Sequence, residues 1–103
     1  MSEPSRRIRL HREAQADIRT AFEWYEVRGS GLGFAFLRAL TASIVIAHRS
    51  PERYPIIESG MRRIMLRGFP YHVIFTADQA ETVLLAVVHQ RQDPRTWKAR
   101  MSR

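Results

Sequence analysis

Apolar and polar residues alternate singly at the start of this chain. Ile8 and Leu10 stand between Arg7, Arg9 and His11, the period of two expected of a half-buried strand. The period then lengthens. From about residue 12 to 28, Ala14, Ile18, Ala21, Phe22 and Tyr25 recur at spacings of three and four and predict an amphipathic helix. Gly29-Ser30-Gly31 interrupts it, and a second helix is predicted over 32–48, with Leu32, Phe36, Leu40, Ile44 and Ala47 on one face. Pro51 stops that helix, because the residue before a proline is pushed away from helical angles. Two helices joined by so short a turn form an antiparallel hairpin whose stripes need a common partner. That partner is a sheet. Arg62–Leu66, Tyr71–Thr76 and Thr82–His89 read as three consecutive strands, the first two parted by Gly68 and Phe69-Pro70, the last two by the polar run 78–81. Val83–Val88 is apolar at every position, as in a central strand covered on both faces. Asp93-Pro94 then supplies an N-cap and a first-turn proline for a short final helix to about Arg100.

The 103 residues suit one domain spanning 1–103. The absence of cysteine excludes disulfides and thiolate zinc sites. The opening MSEPSRRIRL lacks the apolar stretch of a secretory leader, and Val83–Val88 is far too short to span a bilayer, so a cytoplasmic protein without membrane contact is expected. Net charge adds more. The chain carries a formal +7, and residues 61–103 hold eight basic side chains against three acids, Asp78, Glu81 and Asp93. Such a field favours a polyanion: RNA, DNA or an acidic protein segment.

Familiar chemical motifs are missing. Gly29-Ser30-Gly31-Leu32-Gly33 follows a helix rather than a strand and lacks the Lys-Ser/Thr pair of a phosphate-binding loop. His11, His48, His72 and His89 show no paired metal-ligand spacing, and neither a metal nor a cofactor is expected. Glu13, Asp17, Glu23 and Glu26 read as the solvated face of the first helix. Trp24, Tyr25, Phe34, Phe36, Phe69, Tyr71 and Phe75 are expected in the core. Trp97, in a basic tail with little core of its own, either staples that tail to the sheet or anchors a partner.

A set of residues in fixed order gives a more specific signal. Ala16-Asp17-Ile18 and Trp24-Tyr25-Glu26 lie on the first helix, and Gly31-Leu32-Gly33 with Phe36 and Leu40 on the second. Pro51, Tyr54-Pro55, Arg62-Arg63, Leu66, Phe69-Pro70-Tyr71, Val87, His89, Arg91, Asp93-Pro94 and Trp97 follow. Over nearly its whole length the chain resembles the RelE/ParE family of bacterial toxins, and its wording from Phe69 to Trp97 is closer to ParE than to RelE. The resemblance implies an α+β fold, β-α-α-β-β-β-α, with the helical hairpin on a small, mainly antiparallel sheet. It implies a cognate antitoxin as partner in a hetero-oligomer, with Arg62, Arg67, Arg91, Arg95 and Trp97 as candidate partner-binding residues. On the ParE side it implies inhibition of DNA gyrase without catalytic residues. On the RelE side it implies a ribosome-dependent mRNA endoribonuclease, for which Arg63, His72 and Arg91 are the candidate catalytic residues. Met65 and Trp97 stand where that chemistry wants a basic residue and a tyrosine, and an indole has no titratable hydroxyl. A module that only binds its antitoxin is the third reading.

Overall fold

In the computed structural model, which describes residues 6–102, a five-stranded sheet carries a helical hairpin on one face and a short C-terminal segment on the other. Strand β1 (Arg7–Leu10) leads into α1 (Arg12–Arg28) and α2 (Leu32–Arg49), and a 3-10 turn at Pro51–Arg53 follows. Then come β2 (Ile56–Glu58), β3 (Met61–Met65), β4 (Tyr71–Ala77) and β5 (Glu81–His89). The chain closes with α3 (Pro94–Lys98) and a 3-10 turn at Ala99–Ser102. The sheet order is β1-β5-β4-β3-β2, with β1 parallel to β5 and every other pair antiparallel. The α+β class, the hairpin and the mainly antiparallel sheet are as expected.

One strand was not foreseen. β2 has three residues, too few for a period of two to register, and Pro55 precedes it. Its partner is set by the turn: Ser59 (φ 50°) and Gly60 (φ 77°) both adopt positive φ, the requirement of a two-residue hairpin that matches strand twist.

The helices are closed by side chains that sequence periodicity had assigned to solvent. His11 caps α1, its Nδ1 accepting from the Glu13 N–H at 3.1 Å. α2 has no capping side chain of its own. Instead Glu26 reaches across from α1, and its carboxylate accepts from the N–H groups of Gly31 (3.0 Å) and Gly33 (2.9 Å). A carboxylate there both satisfies orphan donors and opposes the positive end of the helix dipole.

Gly33 is where the two helices touch. A Cβ added to it would stand 2.7 Å from the Phe22 ring and 2.8 Å from the Phe22 carbonyl oxygen, and the backbone atom cannot move aside without moving α1. Gly33→Ala is expected to destabilise the fold by about 1–3 kcal/mol, the usual cost of overpacking. A guanidinium titration with an unchanged midpoint would contradict this contact.

The hairpin covers one sheet face with Ala14, Ala21, Phe36, Leu40 and Ala47, packed on Ile64, Leu66, Val73, Phe75, Leu84 and Val87. The other face has its own smaller core of Met61, Ile74, Ala86, Val88 and Trp97. β5 therefore packs on both sides, as its unbroken apolar run foretold. A register shift opposite Ile74/Phe75 makes Leu85 the extra residue of a β-bulge. The stripe expectations need two corrections. Leu32 is half-exposed, bent back over Gly29 at the hairpin turn, and of the aromatics Trp24 and Phe34 lie outside the core, 48% and 55% exposed. Both flank the helix–helix seam: Phe34 meets Phe22 edge-on, and Trp24 is covered by the Arg28 guanidinium 3.4 Å above its ring.

Candidate functional site

β3, β4 and β5 position the residues proposed for catalysis. Ile64 and Leu66 point to the hairpin, so by strand alternation Arg63 and Met65 lie on the opposite face, and Ile74 carries His72 to the same face. The register sets Arg63 opposite Ile74 and Met65 opposite His72, which makes Arg63 and His72 diagonal neighbours. Their proximity appears in the His72 imidazole, whose pKa is lowered, first by burial, then by the Arg63 charge and by His89. Its Nδ1 is enclosed and has no hydrogen-bond partner among the described residues. Arg91 is separate. It is exposed beyond the end of β5, its N–H donates to His89 Nδ1 at 3.0 Å, and no hydrogen bond or ion pair joins it to Arg63 or His72 among the described residues.

Because the folded state disfavours a charged His72, between its lowered pKa and the ordinary value near 6.5 the unfolded chain binds more protons than the folded one. Stability therefore rises with pH through that window. The contribution is complete above about pH 6.5 and is lost as pH falls toward the lowered value. His72→Val is expected to flatten the difference between denaturant midpoints at pH 5.5 and 7.5. An unaltered slope would show that His72 does not titrate with folding.

The candidate partner residues divide. Arg67 is exposed and rims a groove. Arg62 is half-buried, its guanidinium donating to the Tyr54 carbonyl at 2.6 Å, a tie between β3 and the segment before β2. Arg95 is exposed yet held by Asp93, with Nε and Nη2 at 2.9 and 2.7 Å from the same carboxylate oxygen. Trp97 is 4% exposed and packs in the second core, so of the two roles open to it the structure gives the staple.

The tail it staples continues to Arg100, which corrects the reading of Glu13 and Asp17 as solvated. β1 ends opposite Leu84, leaving the rest of the β5 edge without a strand neighbour on that side. Asp17 fills the gap. Its Oδ2 accepts from the Val87 N–H at 2.9 Å, while Arg100 forks onto the same carboxylate at 2.8 and 3.1 Å and its Nε meets Glu13 at 2.8 Å. Asp17 and Glu13 lie one turn apart on α1, so a single guanidinium engages both. The Arg100 pKa is raised, chiefly by its hydrogen bond to Asp17.

Periodicity also missed the outer surface of α2. The sequence LGFAFLRALTASIVIAHR is apolar nearly all round, long and apolar enough to cross a membrane by length and composition. Here its inner stripe is spent on the sheet while Phe34, Val45 and Ile46 remain 55%, 39% and 42% exposed. A groove of about 600 Å³ runs between this surface and β3, lined by Ala39, Ala42, Ser43, Ile46, Tyr54, Ile64, Met65 and Arg67. It shares Ala42 with a hollow of about 420 Å³ formed by Phe34, Leu37, Arg38 and Thr41. The sequence signal was a helix with more apolar positions than one stripe can use.

No protein of curated function matches this sequence. Among experimentally determined structures, a chain of the chromosomal ParDE TA system from P. aeruginosa is similar in fold, with a TM-score of 0.71 at 17% identity, covering 82% of this chain and 95% of that one. The family described as ParE toxin of type II toxin-antitoxin system, parDE, matches residues 8–94, from β1 to the first residue of α3. The chain belongs to the ParE toxin family.

Proposed function

We propose that this chain is a toxin that poisons DNA gyrase, acting by binding rather than by catalysis, and that a cognate antitoxin neutralises it. The carrying observation is the composition of the open sheet face beside the tail. It offers one guanidinium, Arg63, next to a thioether, Met65, and an imidazole whose burial and cationic neighbour favour its neutral form. Phosphodiester cleavage needs a base for the 2′-hydroxyl, cationic support for the phosphorane and an acid for the leaving oxygen. The tail aromatic that would have to supply a proton is an indole sunk in the core. Arg91, the second arginine of the endoribonuclease reading, stands apart from the pair.

The antitoxin side of the proposal rests on the α2 surface. A helix with an exposed apolar flank beside basic residues Arg38 and Arg67, on a chain of formal charge +7, suits an acidic partner segment with apolar anchors. Complementary charge speeds encounter, and the buried apolar contacts set residence time.

Inducing the chain alone in bacteria that carry a DNA-damage reporter tests the target. Growth arrest with strong reporter induction is the expected outcome. Arrest with a silent reporter would move the target to translation and to Arg63, His72 and Arg91. Unimpeded growth would leave a module that binds its antitoxin without harming the cell.

A further inference from the structure

β1 stops opposite Leu84, so α1 alone borders the β5 edge beyond it, and a cavity of about 230 Å³ opens there. Its walls are Thr20 and Ala21 of α1, Tyr71 of β4, Val87 and His89 of β5, and Gln92 of the following loop. Asp17 closes one side, its charge already met by Arg100. Four of these side chains have hydrogen-bonding capacity to spare. Neither the Thr20 nor the Tyr71 hydroxyl has a hydrogen-bond partner among the described residues, and burial raises the Tyr71 pKa, which keeps the phenol a donor. His89 accepts the Arg91 N–H at Nδ1, 3.0 Å away, so Nε2 carries the ring proton. Gln92 donates through Nε2 to the Thr96 hydroxyl at 2.8 Å and keeps its carbonyl oxygen free. The Tyr71 and His89 rings meet edge-on with centroids 5.3 Å apart and give the cavity an aromatic wall. Donors and acceptors around so small a space, below the roughly 300–1,000 Å³ of pockets for drug-sized ligands, suit a single planar ring of mixed polarity.

Cations stand beside it. Arg91 is exposed in the loop between His89 and Gln92, and that loop is fixed by the Gln92 N–H, which donates to the His89 carbonyl at 2.9 Å. The Arg91 guanidinium has no hydrogen bond or ion pair among the described residues. One turn along α1 from Thr20 lies Trp24, half-exposed, with the Arg28 guanidinium 3.4 Å above its ring. We propose that the cavity takes an unpaired base of single-stranded DNA, with the adjoining phosphate on Arg91 and the next base against Trp24 beside Arg28. Aromatic rings interleaved with cations are what an unpaired strand requires, because every base has a face to stack and every linkage a charge to neutralise. A base inside a duplex is stacked and paired and cannot enter. The site lies on the flank of α1 away from α2, since Phe22, on the other flank, is the residue that meets Phe34. The inference stands on the cavity and its cations, and it goes beyond the gyrase reading, which requires no contact between toxin and DNA.

Fluorescence anisotropy of a labelled oligothymidylate of about 12 nucleotides, titrated with the full chain at several salt concentrations, tests the inference. Saturable binding is expected, and Arg91→Gln should weaken it about tenfold and reduce the salt slope by about 0.7, the share of one phosphate contact on a single strand. Arg19→Gln removes the same charge from an exposed position of α1 outside the cavity and should change the affinity less than about twofold. Thr20→Phe fills the cavity from an exposed helix position without altering charge, and is expected to weaken binding about tenfold as well. No anisotropy change with the parent chain overturns the proposal. So do equal losses in the two arginine variants, which would reduce the binding to net charge, and unaltered binding by Thr20→Phe. Thymidine monophosphate competing as well as the oligonucleotide would assign the cavity to a free nucleotide, and tighter binding of an RNA of equal length would assign it to RNA. Either result overturns the assignment to a DNA strand.

Discussion

Trp97→Ala is expected to cost about 3–5 kcal/mol of stability, the usual range for deleting a large aromatic from a core. The size follows from where the residue sits. The second core is small: Met61, Ile74, Ala86 and Val88 present one strip of sheet, and the indole, 4% exposed, is its largest member. Nothing else in the five-residue α3 reaches that strip. Helix α3 is set up by the Asp93 side chain, which accepts from the Arg95 N–H at 2.9 Å, and by Pro94 in its first turn, so the tryptophan arrives on a preformed turn. For a chain of this length the loss corresponds to roughly 4–8 °C of Tm per kcal/mol. Trp97→Phe, which keeps most of the apolar bulk, should recover more than half of it. Equilibrium denaturation of the two variants checks the claim, and a loss under about 1 kcal/mol for the alanine variant would mean that the tail is not anchored by this residue.

Asp17→Ala is the second large effect, expected near 3 kcal/mol, because one carboxylate accepts from the Val87 N–H and from both terminal nitrogens of the Arg100 guanidinium. Without it the Val87 N–H loses its acceptor at a position where β1 has already ended, and Arg100, whose side chain is 13% exposed, keeps a charge with only Glu13 to meet it. Asp17→Asn retains an acceptor for Val87 while discarding the charge, so it should fall between the parent and the alanine variant. A double-mutant cycle with Arg100→Ala isolates the pair, and a coupling energy above about 1 kcal/mol is expected for contacts of this kind. Additive losses would show that the fork between Arg100 and Asp17 contributes nothing of its own. Together the two residues make the tail a strap: Trp97 seals one sheet face, Lys98 meets Glu58 of β2 at 2.6 Å, and Arg100 returns to α1.

The two helices were legible because each carries a full stripe and a strong stop, and their observed bounds differ from the expected ones by a single residue at Arg49. β5 was legible for the opposite reason: a run with no polar position has nowhere to go but between two layers. β2 was hidden because three residues cannot show a period, although Ser59-Gly60 is a turn signal that could have pointed to it. The roles of Asp17, Glu26 and Arg100 were not legible, since they depend on which elements meet. Asp17 looks like any acid on a helix flank until β1 is seen to end one turn early. Trp97 was undecided for the same reason, because the core it joins is built by Met61, Ile74, Ala86 and Val88, which come from three different strands. The groove on α2 was visible in composition and overlooked in pattern: one stripe had been assigned to the helix, and the surplus of Phe34, Val45 and Ile46 was left without a use.

The account stands most directly on whether the purified chain acts on gyrase. Added alone to gyrase with relaxed plasmid and ATP, it is expected to inhibit supercoiling and to raise the yield of cleaved DNA on denaturation, with the antitoxin reversing both. Supercoiling and cleavage left unchanged at micromolar excess of a folded chain would contradict it.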